Sequence, residues 1–279
     1  MIISIASGKG GTGKTTIAVN LALSLQNTQL LDCDVEEPNS HIFLRPSIAE
    51  TEKVNLLTPD IGDACDWCGE CACKCQFHAI VVLPENVMVF PELCHGCGLC
   101  SLVCPRDAIT EVPREIGAIM RGRAGSISIV YGLLKIGEAM ATPVVKAVRR
   151  ETDPEKTVII DAPPGTSCPV IASVEGSDYC ILVTEPTPFG LYDLKIAVEV
   201  IRLLGIPFGV LVNKSGIGDR GVYDYCGAEK IAVLLEIPYD EEIARWYSGG
   251  VAFVERMPEW KDRFREMFEC IKETARERS

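Results

Sequence analysis

The first residues whose types and spacing suggest chemistry lie near the N-terminus, where residues 7–16 read Ser-Gly-Lys-Gly-Gly-Thr-Gly-Lys-Thr-Thr. The stretch fits G-x-x-x-x-G-K-[ST] and lies between an apolar run and a helix-like run, the context that a phosphate-binding loop requires. Glycines allow successive backbone N–H groups to turn toward a polyphosphate at a helix N-terminus. We therefore predict an ATP or ADP site formed by Gly8, Gly10, Gly11, Thr12, Gly13, Lys14, Thr15 and Thr16. Lys14 is expected to reach the β- and γ-phosphates, and the Thr15 hydroxyl to bind Mg²⁺. A glycine-rich turn without a ligand is the alternative.

A second pattern consists of cysteines. The spacing C-x2-C-x2-C-x3-C occurs twice, in residues 65–75 and in residues 94–104, and two such runs predict two [4Fe-4S] clusters. Because the fourth cysteine of each run ligates the other cluster in such folds, the predicted ligands are Cys65, Cys68, Cys71 and Cys104 for one cluster, and Cys94, Cys97, Cys100 and Cys75 for the other. Zinc is the alternative, although structural zinc sites usually have two separated C-x2-C pairs. The remaining six cysteines are expected to be buried free thiols: Cys33, Cys73, Cys168, Cys180, Cys226 and Cys270.

The N-terminal loop carries a second lysine, Lys9, in the form G-K-G-G-x-G-K-T-T. This form resembles the deviant Walker A motif of the MinD/ParA/Mrp superfamily of P-loop ATPases, which includes the nitrogenase iron protein. In that superfamily the extra lysine crosses a dimer interface to the partner's phosphates, so the resemblance implies a catalytic role for Lys9. A solvated loop cation is the alternative for Lys9.

The resemblance extends to later motifs. Leu-Leu-Asp-Cys-Asp at residues 30–34 resembles the second acidic motif, which implies that Asp34 positions the attacking water or Mg²⁺, with Asp32 in support. Asp161, in Ile-Ile-Asp-Ala-Pro-Pro-Gly, resembles the Walker B carboxylate that orients Mg²⁺. Asn213, at the end of an apolar run, and Pro238, in Ile-Pro-Tyr-Asp, resemble positions beside the adenine base.

Alternating buried strands and amphipathic helices predict a doubly wound, mostly parallel α/β sheet. We expect residues 1–58 and 114–279 to form the P-loop ATPase domain, and residues 59–113 an inserted α+β domain like a bacterial ferredoxin. In the last segment, residues 259–278, apolar residues at helical spacing alternate with balanced charges. This balance favours a helix docked on the sheet over one bound to anionic lipid.

The composition limits the range of partners. The 279 residues carry a formal charge of -12, which argues against nonspecific binding of nucleic acid through a basic surface. Much of this charge lies in residues 60–112, where acidic residues far outnumber basic ones. No stretch is long and apolar enough for a membrane span, and the N-terminus resembles a core strand rather than a signal peptide, so we expect a soluble, cytoplasmic protein.

Taken together, the motifs predict a Mg²⁺-dependent ATPase, slow without a partner, whose nucleotide state gates electron transfer by, or cluster delivery from, the two-cluster domain. The expected partners are a second copy or a related ATPase, and a redox protein or iron-sulfur client. Two alternatives remain open: a MinD/ParA-like positioning ATPase with structural or redox-sensing clusters, and a ferredoxin-like carrier with a vestigial nucleotide site.

Overall fold

A computed structural model describes residues 1–276. Its strands are β1 (Ile2–Ala6), β2 (Thr28–Asp32), β3 (Ser47–Ile61), β4 (Ile80–Leu83), β5 (Asn86–Val89), β6 (Ile109–Ala124), β7 (Ile127–Leu134), β8 (Thr157–Asp161), β9 (Tyr179–Thr184), β10 (Phe208–Ser215) and β11 (Val233–Pro238). Its α-helices are α1 (Lys14–Ser24), α2 (Ser40–Leu44), α3 (Glu70–Lys74), α4 (Leu99–Leu102), α5 (Thr142–Arg150), α6 (Cys168–Val174), α7 (Pro188–Leu203), α8 (Gly221–Ala228), α9 (Glu241–Ser248) and α10 (Glu259–Arg276).

Nine strands form one sheet in the order β11-β10-β9-β1-β8-β2-β7-β6-β3. The seven strands from β11 to β7 are parallel, and β6 and β3 continue the sheet as antiparallel strands. Central strands such as β2 and β9 are buried along their whole length, as expected for a parallel sheet covered on both faces. The predicted mostly parallel α/β sheet is therefore confirmed.

The two antiparallel strands form a long pair, which we call the β3–β6 ribbon. Its register runs from Ser47 opposite Arg123 to Ile61 opposite Ile109. Strand β6 also forms a hairpin with β7, with Ala124 opposite Ile127. Both ribbon strands extend past the predicted domain boundaries at residues 58 and 114, so the segment between them begins and ends on the nine-stranded sheet itself.

Residues 62–108, which we call the cysteine module, lie between the ends of the ribbon strands. The module contains the short helices α3 and α4 and the separate two-stranded sheet β4–β5. Its small core joins Cys71, Ile80 and Ile109. With so few buried apolar residues, the module has little hydrophobic stabilisation of its own.

Helices cover both faces of the sheet. Ile3 and Ile5 of β1 share a core with α1 and α10, whereas α6, α7 and α8 pack with Ala6 over the opposite face. The C-terminal helix α10 buries its apolar stripe in the first core, namely Trp260, Phe264, Met267, Phe268 and Ile271. The predicted docking of this helix is therefore confirmed as far as Arg276, while Glu277 and Arg278 lie outside the described residues. Within residues 1–276, none of the helices has the length and apolar character needed to cross a bilayer.

Candidate functional site

The phosphate loop connects β1 to α1 and depends on glycine for its shape. Gly13 caps α1 with φ of 96°, a left-handed conformation that disfavours other residues. A Cβ atom at Gly13 would lie 2.3 Å from Nδ2 of Asn213, and one at Gly8 would lie 2.2 Å from the carbonyl oxygen of Asp193 in α7. The chain therefore needs glycine at both positions to pack the loop against β10 and α7.

An open cavity of about 1480 Å³ adjoins this loop at the carboxyl ends of the parallel strands. Predicted site residues that line it are Gly10, Gly11, Gly13, Lys14, Thr15, Thr16, Asp34, Asn213 and Pro238. Gly8, Lys9, Thr12 and Asp161 do not line it. Tyr239, Asp240 and Tyr247 complete the wall near Pro238. The structure thus brings together residues from the loop, from the segment after β2, and from β10 and β11 around a space suited to a nucleotide.

Behind the loop, one buried cation faces several carboxylates. Lys14 is only 6% exposed, and burial lowers its pKa while Asp161, Asp34 and Asp32 oppose that shift. Asp161 is fully buried, and burial raises its pKa well above the usual range. The Thr15 hydroxyl lies near enough to lower the Asp161 pKa in part, but neither carboxylate oxygen has a hydrogen-bond partner among residues 1–276.

An unpartnered buried carboxylate beside a threonine hydroxyl fits a divalent cation, because hard cations prefer oxygen ligands. Thr15 would hold Mg²⁺ directly and Asp161 would orient it, as the sequence predicts. When bound, Mg²⁺ neutralises negative charge on the phosphates.

The resemblance implies that Asp32 supports the metal site, but both of its carboxylate oxygens accept hydrogen bonds from residues 34–40. Its Oδ2 accepts hydrogen bonds from Ser40 Oγ at 2.6 Å and from the backbone N–H groups of Ser40 and Asn39 at 3.0 and 3.1 Å. Its Oδ1 accepts from Asp34 N at 3.1 Å. Asp32 therefore holds the segment 34–40 in place. Burial and the nearby Asp32 raise the pKa of Asp34 to about 6.

Lys9 forms an ion pair within its own chain. Its Nζ lies 3.4 Å from Glu185 Oε2, and Lys214 Nζ donates to Glu185 Oε1 at 2.5 Å. Burial alone would raise the Glu185 pKa, but Lys214 and Lys9 together lower it. Sequence reasoning missed Glu185 and Lys214, because nothing in the local pattern around either residue indicates a contact with a loop nearly 200 positions away. The predicted role of Lys9 at a partner's phosphates stays a prediction.

Asn213 supports the phosphate loop. Its Nδ2 donates to the carbonyl oxygen of Thr12 at 2.8 Å, and its Oδ1 accepts from Lys214 N at 3.0 Å. Both polar atoms of the side chain are therefore engaged within the chain, and adenine recognition by Asn213 stays a prediction.

In the cysteine module, the eight cysteines form two groups, each around a solvent-connected cavity. Cys65, Cys68, Cys71 and Cys104 line a cavity of about 340 Å³, which we call the first cysteine site. Cys75, Cys94, Cys97 and Cys100 line one of about 390 Å³, the second cysteine site. The grouping across the two runs is the one that the sequence predicts.

The surroundings of these thiols suit a metal cluster. Backbone N–H groups of Ala79 and Ala108 donate to the sulfurs of Cys75 and Cys104, each at 3.3 Å, as they would to thiolates. Burial raises the pKa values of Cys71 and Cys100, which favours the neutral thiol until a metal displaces the proton. In residues 1–276, no group of three or more His, Cys, Asp or Glu side chains is arranged to hold a single metal ion.

The expectation that the other six cysteines are buried is only half correct. Cys33, Cys180 and Cys226 are buried, and burial raises their pKa values. Cys73, Cys168 and Cys270 are exposed instead, since they lie on short or amphipathic helices whose outer faces carry no covering element.

Known proteins resemble this chain along nearly its whole length. The model of the CobQ/CobB/MinD/ParA nucleotide binding domain matches residues 3–253. An uncharacterised protein of Methanocaldococcus jannaschii is 30% identical over 281 residues, covering 98% of this chain and 97% of that protein. An iron-sulfur cluster carrier protein of the same organism is 25% identical over 264 residues, covering 92% of this chain and 71% of that protein.

Among solved structures, the septum site-determining protein MinD of Pyrococcus horikoshii, complexed with Mg-ADP, is similar with a TM-score of 0.61. It is 20% identical, and the alignment covers 98% of this chain and 96% of that one, a likeness that concerns the fold. Because the family model matches most of the residues and a full-length relative reaches 30% identity, the chain belongs to the CobQ/CobB/MinD/ParA family of nucleotide-binding domains.

Proposed function

We propose that this protein is a Mg²⁺-dependent ATPase that carries two [4Fe-4S] clusters in the cysteine module, and that its nucleotide state gates electron transfer by, or delivery of, those clusters. The observation that carries the proposal is the pair of four-cysteine sites placed at the end of strands that belong to the nucleotide-binding sheet. The cross-run grouping of the thiols favours two cubanes, which require four thiolates each.

Coupling between the two parts has a physical route. The segment after Asp34 is hydrogen-bonded to the last residue of β7, because Leu134 N donates to Val35 O at 2.7 Å. Lys135 N then donates to Ile116 O of β6 at 2.9 Å. Strand β6 begins directly at the cysteine module. If residues 34–40 change conformation when the γ-phosphate binds or is lost, β6 would move with them. The cysteine module, which precedes β6, would then be displaced as well.

Each part has its own expected chemistry. Lys14 and the loop N–H groups bind the phosphates, Asp34 orients the attacking water, and Asp161 positions Mg²⁺. The clusters supply one-electron chemistry when bound. ATP hydrolysis is expected to be slow until a partner completes the site, since Lys9 is engaged by Glu185 in the single chain.

The test is anaerobic purification with iron, sulfide and zinc quantified, followed by EPR of the dithionite-reduced protein alone, with ADP and with a nonhydrolysable ATP analogue. We expect about eight iron atoms per chain and signals that change with nucleotide. The matched control is Lys14→Ala, which should keep the iron and lose the nucleotide response. Stoichiometric zinc without iron, or signals indifferent to nucleotide, would reject the cluster or the gating part respectively.

The positioning ATPase remains the second candidate because MinD of Pyrococcus horikoshii shares the fold. A membrane-bound form would need an available amphipathic helix, but α10 buries Trp260, Phe264 and Ile271 in the core. Sedimentation with anionic liposomes, with and without ATP, separates the two candidates, since only a positioning ATPase of this kind would sediment when ATP is present.

A further inference from the structure

The two cysteine runs have the same local backbone, so their surroundings can be compared position by position. Cys65 corresponds to Cys94 and Cys75 to Cys104. Trp67 and its counterpart Gly96 have φ of 56° and 63°. The next glycines of the runs, Gly69 and Gly98, have φ of 82° and 72°. The two halves of the module therefore present equivalent surfaces beside their cysteine sites.

The ribbon covers this surface at the second run. A Cβ atom at Gly96 would lie 2.8 Å from Cδ1 of Leu56 and 3.0 Å from the carbonyl oxygen of Leu57. One at Gly98 would lie 3.2 Å from Oε1 of Glu111 in β6. The chain's own strands thus pack directly on this half of the module, and a larger residue at position 96 has no room.

The equivalent surface at the first run is open. Apart from the adjoining residues of the chain, no atom of residues 1–276 lies within 4 Å of a Cβ atom built at Gly69. The counterpart of Gly96 is Trp67, which lines the first cysteine site and is 45% exposed. Cys68 is exposed, and so is its counterpart Cys97, so the two runs differ at Trp67 and Gly69 rather than at this cysteine. The backbone of Trp67 has a left-handed conformation that raises the free energy of the folded state for residues other than glycine, and the second run has glycine at this position. This strain suggests that the exposed indole ring has a function.

The charge of the surface indicates what would cover it. Asp63 and Glu70 are exposed near Trp67, while Asp66 already pairs with Arg106 at 2.7 Å. We call the surface formed by Asp63, Trp67, Cys68 and Glu70 the Trp67 face. It combines one exposed aromatic anchor with two carboxylates that form no ion pair within residues 1–276, which suits a partner with an apolar recess surrounded by cations.

We propose that the Trp67 face is the docking site for a redox protein with a lysine- and arginine-rich surface, which binds over the first cysteine site. The proposal rests on the proposed function, because only a cluster at that site gives a redox partner a reason to bind there. The β3–β6 ribbon occupies the equivalent place at the second site, so the first site is the outward end of the module.

The test uses the anaerobically purified protein and isothermal titration calorimetry, with a lysine-rich cytochrome c as the probe. Lysine-acetylated cytochrome c, which has the same fold without the positive charges, serves as the matched probe. We expect measurable binding to the first probe, a dissociation constant that rises steeply with salt, and no binding to the acetylated form. Absence of binding to the unmodified probe would overturn the proposal.

Variants locate the binding surface. Trp67→Gly restores the residue type of the second run, so its backbone should be tolerated, and it should weaken binding about fivefold or more. The double variant Asp63→Asn and Glu70→Gln should weaken binding several-fold and flatten the salt dependence. The control is Leu102→Ala on α4, which is 82% exposed and should leave the dissociation constant within about twofold.

Equal effects of Leu102→Ala and Trp67→Gly, or no effect of the Trp67 face variants, would overturn the proposal. Iron content and EPR spectra of the same samples distinguish failure of the docking proposal from failure of the proposed function. Intact clusters without docking would reject only the docking site. Absence of iron would reject the proposed function, whatever the calorimeter shows.

Discussion

Asp161 lies at the end of β8 without solvent exposure and without a hydrogen-bond partner among residues 1–276. Such a carboxylate destabilises the folded state when it is charged, because it has lost water and gained little in return. Lys14 is the nearby cation, but it faces Asp34 and Asp32 as well. The site is therefore short of positive charge by itself, which is the condition that a bound cation relieves.

We expect Asp161→Asn to stabilise the protein in the absence of Mg²⁺ and nucleotide, by about 1–2 kcal/mol at pH 8. The raised pKa of Asp161 means that its protonated form favours folding at low pH, and that this contribution is lost as pH rises through the folded-state pKa. The gain should therefore be smaller at pH 5. Urea unfolding in EDTA at both pH values measures it.

The control is Asp32→Asn. Asp32 is equally buried but accepts four hydrogen bonds, so its substitution should destabilise the protein by about 1–3 kcal/mol. If both variants lose stability to the same extent, the distinction between the two carboxylates is wrong.

Asn213→Ala tests whether this side chain supports the loop or recognises the base. Because its Nδ2 is bonded to Thr12 O, we expect the affinities for ATP and GTP to fall by a similar factor, about five- to tenfold. Titration calorimetry with both nucleotides measures the two constants. A selective loss of ATP affinity would instead support adenine recognition, as the resemblance implies.

Among the elements, the β3–β6 ribbon differs most from what its sequence indicates. Residues 47–53 of β3 are all exposed, and they include Glu50, Glu52 and Lys53. Ion pairs stabilise this edge of the sheet. Arg121 of β6 contacts Glu50, Glu52 and also Glu151 after α5, to which its Nε donates at 2.7 Å.

Replacing Arg121 with Met should lower the free energy of unfolding by about 1–2 kcal/mol at pH 7. Hydrogen bonding to Arg121 lowers the pKa of Glu151, so the contribution of Glu151 is present above its unfolded pKa and is lost as pH falls through its folded pKa. The difference between variant and wild type should therefore shrink below about pH 4. Denaturation at pH 7 and pH 3.5 checks this. If the difference in free energy of unfolding between variant and wild type does not depend on pH, the packing of the Arg121 methylene groups, rather than the ion pairs, accounts for the stabilisation.

For α10, we expect Phe264→Ala to cost about 3–5 kcal/mol, because the ring is fully buried against the core shared with α1. Thermal unfolding of this variant should be compared with that of Phe189→Ala, whose ring is 79% exposed and whose loss should change little. Similar small effects of both variants would show that α10 does not dock as described.

The elements differ in how far the sequence predicts them, for physical reasons. Tyr179–Thr184 was predictable as β9 because a fully buried strand is a continuous apolar run. Most of β3 was not, since an edge strand with exposed charges shows no periodicity. In the site, Lys14 and Asp161 lie in local motifs, whereas Glu185 reaches Lys9 only through the tertiary fold.

At the scale of the whole molecule, the cysteine module and the ATPase sheet meet where Gly96 packs on Leu56 and Leu57. Leu56 also packs against the core that contains Val35, next to Asp34. The second cysteine site is thus the one nearer to the nucleotide-binding part, and the first lies toward the end of the ribbon at Ile61 and Ile109.

Gly96→Ala should disturb this contact, since the new methyl group has no room and φ is positive. We expect iron to fall from about eight to about four atoms per chain, while nucleotide affinity is unchanged. Gly69→Ala is the matched control, with the same type of backbone strain, about 1–2 kcal/mol, but open space around the methyl group. Iron analysis and nucleotide titration of both variants measure the effect. Equal iron loss in both would attribute it to strain alone.

The order of the strands also has a consequence for how the chain matures during its synthesis. Strand β1 pairs with β8 and β9, so the phosphate loop lacks its neighbours until residues 158–182 have left the ribosome. All eight cysteines of the two cysteine sites lie within residues 65–104, and both strands of the ribbon are complete by residue 124. Domains with local contacts form early on a growing chain, which lengthens by about 5–20 residues per second. We therefore expect the proposed clusters to enter the cysteine sites on the nascent chain, before the protein is able to bind a nucleotide.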